Sequence, residues 1–74
     1  MDTFKFKTLL KVVEYGSITK AGEELGYTQS GVSHMIRSIE RELGFPVLIR
    51  SRTGVAPTEN CEKILPALRQ LVNW

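Results

Sequence analysis

Five neighbouring side chains in the middle of this chain carry groups suited to reading another molecule by hydrogen bonding. They are the amide of Gln29, the hydroxyls of Ser30 and Ser33, the imidazole of His34 and the guanidinium of Arg37. Their spacing places them on one side of a 3.6-residue wheel, with Arg41 continuing the row, while Val32, Met35, Ile36, Ile39 and Leu43 fall on the other. A helix from about Gln29 to Leu43 therefore has an apolar face to bury and a polar face to present. An amide pairs bidentately with the edge of adenine, hydroxyls and imidazole donate or accept, and a guanidinium fits phosphate or guanine. Catalysis is not indicated, because Ser33 and His34 adjoin without the third group that orients a nucleophile and its base. His34 has no second ligand one helical turn away, so no metal site is expected.

The elements around this helix fit that chemistry. Gly44 closes it, and Thr28 is its N-cap candidate. Before it, Ile18–Leu25 reads as a short helix capped by Ser17 and closed by Gly26. Two short helices joined by a glycine-containing turn make a helix-turn-helix when a small residue lets them cross closely. Gly22, beside Ala21, meets that condition, and Leu25, Tyr27, Val32 and Met35 are placed to lock the pair. A first helix over about 3–14 presents Phe6, Leu9, Leu10 and Val13 on one face.

Beyond Gly44 the period changes. Phe45 precedes Pro46 and is driven to extended backbone. Val47-Leu48-Ile49 is β-prone, Ser51-Arg52-Thr53-Gly54 is turn chemistry, and Val55-Ala56 returns as a second strand, which Pro57 makes short or an edge. Arg50 and Arg52 stand at the tip of this hairpin, suited to a minor groove or its phosphates. Thr58 caps a last helix that carries Cys61, Leu65, Leu68 and Val72 as an apolar stripe. Such a stripe suits either a short coiled coil or core packing. Pro66 predicts a kink or break in it.

Composition sets the frame. Seventy-four residues allow one domain with a small core. The formal charge is +2, and its excess lies in the middle, where Arg37, Arg41, Arg50 and Arg52 outnumber Glu40 and Glu42. A single cysteine suits a reducing compartment. No stretch approaches the ~18 consecutive apolar residues of a membrane span, and Lys5, Lys7 and Lys11 interrupt the N-terminus, so no signal peptide is read there. A cytoplasmic domain that does not associate with membranes is expected.

Over essentially its whole length the chain resembles the N-terminal domain of LysR-type transcriptional regulators. The resemblance is carried by Tyr15-Gly16-Ser17-Ile18-Thr19-Lys20-Ala21, by Thr28-Gln29-Ser30-Gly31-Val32-Ser33, by Ile39-Glu40-Arg41-Glu42-Leu43-Gly44, and by Arg50 and the Leu65-Pro66 pair. Gly22 stands where the family usually has alanine, a change that the need for a small residue permits. Ser30 and Gly31 stand where proline and alanine are frequent, and His34 where arginine or glutamine is common. The resemblance implies a last helix that pairs two subunits and a separate C-terminal domain, absent from this chain, that binds a small co-inducer.

The expected fold is a mostly α winged helix-turn-helix, with a three-helix core, a small β-hairpin wing and a C-terminal linker helix. Residues 1–58 are read as the DNA-binding domain, with the helix-turn-helix at about 18–37 and the wing at about 45–57. Residues 59–74 are read as the start of the linker helix, and an end in mid-helix at Trp74 suggests a fragment. The expected partner is double-stranded DNA, contacted by Thr28, Gln29, Ser30, Ser33, His34, Arg37, Arg50 and Arg52. A homodimer through Leu65, Leu68, Leu71 and Val72 is expected, weak in this chain. No cofactor is expected in the domain. The rival reading is a winged-helix protein-interaction module, which would show exposed apolar anchors on the middle helix.

Overall fold

The computed structural model describes residues 3–72; the expectations that touch Trp74 lie outside them. Helix α1 spans Phe4–Tyr15, α2 spans Ile18–Leu25 and α3 spans Gln29–Leu43. Strands β1 (Leu48–Ser51) and β2 (Gly54–Pro57) form the hairpin, and α4 spans Glu59–Val72. The architecture is the expected mostly α winged helix-turn-helix. Among the described residues no helix is long and apolar enough to cross a membrane.

Polar caps set the starts of α2 and α3. The Lys20 N–H donates to the Ser17 hydroxyl at 3.1 Å, and the Gly31 N–H donates to the Thr28 hydroxyl at 3.0 Å. Each satisfies a donor that has no partner within its helix. Close crossing of the two helices depends on Gly22. A Cβ there would lie 2.8 Å from the Tyr27 carbonyl oxygen and 3.4 Å from a Val32 methyl. The turn backbone crowds the space that an alanine Cβ would fill, so alanine is less freely permitted here than the sequence implies. Tyr27 in turn packs edge to face on Phe4, with centroids 5.5 Å apart.

The core joins α1, α2, α3 and α4. Leu9, Val12, Ala21, Val32, Ile36, Ile39, Val47 and Cys61 are fully or almost fully buried. The buried face of α1 is rotated from its expected position. It centres on Phe6, Thr8, Leu9 and Val12, with Leu10 and Val13 at the margin. Thr8 enters the core because its hydroxyl donates to the Phe4 carbonyl at 3.2 Å, so no polar atom is stranded.

In α4 the apolar stripe serves the core. Leu65 and Leu68, expected to pair two subunits, are only 6% and 8% exposed and belong to the same cluster as Leu9 and Val12. Core packing is the alternative that the stripe's spacing left open. Leu71 is 39% exposed and Val72 is half-buried. Pro66 does not break α4, which runs through it. The residue is exposed, so the carbonyl that loses its bond can turn to water.

The hairpin is antiparallel, pairing Leu48 with Pro57, Ile49 with Ala56, Arg50 with Val55 and Ser51 with Gly54. Its first strand begins one residue later than the β-prone run, because Val47 is withdrawn into the core. The hairpin is pinned to the α1–α2 turn, where the Val55 N–H donates to the Gly16 carbonyl at 3.0 Å. Gly54 permits this approach. Its φ is +137°, and a Cβ there would overlap that same carbonyl oxygen.

Candidate nucleic-acid interface

The outer edge of α3 is a row of polar side chains. Gln29, Ser30, His34, Arg37 and Arg41 are all exposed, as is the cap Thr28. Ser33 departs from the expectation. It is 8% exposed, at the edge of this surface and next to Val32, so its hydroxyl is far less open than its neighbours. Gly31, where the resemblance makes alanine frequent, serves the cap. A Cβ there would lie 3.2 Å from the Thr28 hydroxyl, so glycine makes room for the cap.

Because β2 is held against Gly16, the hairpin lies beside the start of α2 and of α3. A shallow groove of about 250 Å³ results, lined by Ser17, Thr19, Gln29, Arg50 and Arg52 among others. It brings the first residue of the polar row together with both hairpin arginines. Arg37 is not part of it. That residue borders a separate groove with Arg41, Glu40, Phe45 and Pro46 at the far end of α3. Ser17 and Thr19 were not among the expected contact residues. The hydroxyls at a helix start were the available signal, but their place beside the hairpin depends on a contact distant in sequence, the Gly16–Val55 bond.

The charge of this surface follows from where the acids go. Glu42 is in a salt bridge with Lys5 of α1, and Glu40 accepts the Val47 N–H at 2.9 Å. Among the described residues no carboxylate bridges Arg37, Arg41, Arg50 or Arg52. Four guanidinium groups therefore face solvent without a compensating ion pair, which favours a polyanionic partner. The other titratable features lie elsewhere. A hydrogen bond from Lys11 to Glu14 raises the Lys11 pKa, and burial raises that of the Cys61 thiol. A buried, protonated thiol behaves as a small core residue. Among the described residues no cluster of histidine, cysteine and carboxylate side chains is arranged to hold a metal.

Comparison with known proteins agrees with this surface. Residues 4–62 match the family described as "Bacterial regulatory helix-turn-helix protein, lysR family". The chain is 40% identical over 73 residues to an uncharacterized HTH-type transcriptional regulator, YvbU, of Bacillus subtilis (strain 168), covering 97% of this chain and 25% of that protein. It is also 40% identical over 73 residues to the HTH-type transcriptional regulator HdfR of Salmonella newport (strain SL254), covering 99% of this chain and 26% of that protein. The chain thus spans about a quarter of the length of these relatives. Among solved structures, it superposes on the CbnR DNA-binding domain in complex with DNA with a TM-score of 0.92 at 25% identity, covering 99% of this chain and 84% of that one. It superposes on the BenM DNA-binding domain bound to benA site 1 DNA with a TM-score of 0.90 at 29% identity, covering 99% and 82% respectively.

Proposed function

The chain belongs to the lysR family of bacterial regulatory helix-turn-helix proteins, and from that premise we propose that it binds double-stranded DNA sequence-specifically as the reading domain of a transcription regulator. The family is one of regulators, not enzymes. The observation that carries the proposal is the groove that sets Gln29 beside Arg50 and Arg52, on a surface whose arginines no carboxylate bridges among the described residues.

In this reading the start of α3 enters the major groove. Gln29 pairs with a base edge, and Ser30 and His34 add donors or acceptors beside it. Ser33 contributes from the edge with little exposed surface. Arg37 lies further along the helix, toward phosphate. Arg50 and Arg52 hold the neighbouring backbone or minor groove, and Thr28 with the start of α2 supplies hydroxyls and free N–H groups for phosphate oxygens. The domain needs no cofactor for this and acts in the cytoplasm. The whole protein is proposed to be a homodimer through the outer side of α4, with Leu71 and Val72 as its apolar contribution. A C-terminal domain, where present, would take the small-molecule co-inducer.

The test is binding of wild type, Gln29→Ala and Arg52→Ala to a selected operator and to scrambled duplex across a salt series. Wild-type affinity is expected to fall with salt at a slope of about −0.9 per phosphate contact. Gln29→Ala is expected to shrink the operator-to-scrambled difference by about 1–3 kcal/mol. Arg52→Ala is expected to weaken both duplexes alike and to lower the slope by about one. An unchanged operator preference in Gln29→Ala would remove Gln29 as a base reader. Salt-independent binding would remove the DNA reading and leave a protein-interaction module in its place.

A further inference from the structure

Glu40 sits on α3 between Arg37 and Arg41, in a region that the DNA-binding reading turns toward phosphates. A carboxylate there opposes binding electrostatically. Its position makes sense through its geometry instead. The side chain bridges neither arginine among the described residues, and Oε2 accepts the Val47 N–H at 2.9 Å. Val47 directly precedes β1 and is fully buried. On its other side, the Val47 carbonyl accepts the Thr58 N–H at 3.0 Å. The Thr58 hydroxyl donates to the Pro46 carbonyl at 2.7 Å and accepts the Cys61 N–H at 3.1 Å, starting α4. Both backbone groups of Val47 are thus held, one by α3 and the other by the cap of α4.

We propose that Glu40 is a positioning residue for DNA recognition, fixing the root of the hairpin to α3 so that Arg50 and Arg52 meet the duplex in register with Gln29. The inference rests on the DNA-binding reading above. The buried Val47 side chain anchors the point just before β1 and Leu48 packs against the core, but Ile49 to Ser51 are exposed, so the direction the strand takes beyond that anchor has little side-chain packing behind it. Backbone bonds on either side of that exposed stretch add to the Val47 anchor in setting its direction. The Val55–Gly16 bond fixes the hairpin near its tip, and the Glu40–Val47 bond fixes it at the root. Two separated attachments remove the freedom to swing that one would leave. Pre-organisation of this kind raises affinity by avoiding ordering on binding.

Two substitutions in the 74-residue chain separate position from charge. Glu40→Gln keeps the reach and an acceptor oxygen but loses the charge; Glu40→Asp keeps the charge but falls one methylene short of Val47. Each is measured for duplex affinity, with intact arginines and with Arg50→Ala and Arg52→Ala combined. Native-state hydrogen exchange of the Val47 amide is measured without DNA. Glu40→Asp is expected to weaken duplex binding by roughly fivefold with the arginines present and to add little once they are gone. Glu40→Gln is expected to bind as well as wild type or better. Val47 exchange should quicken in Glu40→Asp and stay slow in Glu40→Gln. The proposal is overturned if Glu40→Gln binds more weakly than Glu40→Asp, or if the Glu40→Asp loss persists undiminished without the arginines. Unchanged Val47 exchange in Glu40→Asp, or loss of its fold in a thermal melt, overturns it as well. A wild-type chain that binds no duplex at low salt removes the premise, and exchange data that still respond as expected would show that the bond itself stands.

Discussion

Helix α3 and the hairpin form the two halves of the proposed reading surface, yet they are held in place by different forces. The helix is seated by Val32, Ile36 and Ile39, all buried in the core. The hairpin has only half-buried and exposed residues in its strands, of which Leu48 and Val55 touch the edge of the core, and hydrogen bonds from Val47 and Val55 add to that marginal packing. Side-chain packing fixes an element by volume and area, and its loss is felt by the whole domain. Backbone hydrogen bonds fix direction, at a net contribution of only about 0.5–1.5 kcal/mol each. The reading helix is therefore tied to stability, whereas the hairpin can be adjusted with the fold left standing.

Three substitutions can break or sharpen that contrast. The largest effect is expected for Ile36→Ala, which empties a fully buried site in α3 and should cost about 2–5 kcal/mol. A urea titration should show a lower midpoint with an unchanged slope. Gly54→Ala should come next, at about 1–3 kcal/mol, because it places a side chain at φ +137° and against the Gly16 carbonyl. Its loss should be confined to the hairpin, so hydrogen exchange in α3 should stay slow while duplex affinity falls. A Gly54→Ala midpoint as low as that of Ile36→Ala would mean that hairpin and helix unfold as one unit, and the contrast would fail. The smallest effect on the fold is expected for Arg52→Ala, within about 0.5 kcal/mol, since the side chain is exposed and unbridged among the described residues. A larger shift in its thermal midpoint would give that arginine a structural duty beyond the proposed DNA contact.

The same contrast explains what could be read from the residues. Ser17, Thr28, Gly26 and Gly44 mark the limits of α2 and α3 by local chemistry, and those limits stand as expected. The burial of Ile36 and Ile39 follows from spacing alone. Where more than one face is plausible, spacing is insufficient. Thr8 turned inward because of a bond within its own helix, and Ser33 lies closer to the core than its position on the wheel implies. Leu65 and Leu68 form a stripe that suits a second subunit as well as α1, and only the position of α1 decides. The groove itself was not legible. It depends on a bond between the Gly16 carbonyl and the Val55 N–H, two backbone groups that carry no side-chain signature and lie far apart in sequence.

That bond also bears on the order in which the molecule assembles. The α1–α2 and α2–α3 contacts join elements that follow one another along the chain, and short loops close quickly. Docking Val55 on Gly16 closes a longer loop, so the hairpin is expected to settle after those helices. Strain introduced at Gly54 should then leave the folding rate of the helices nearly unchanged and appear as faster opening of the hairpin, which stopped-flow measurements and hairpin hydrogen exchange on Gly54→Ala would resolve. Gly16 precedes Val55 along the chain, so during synthesis its carbonyl is expected to be made well before the strand that becomes its partner.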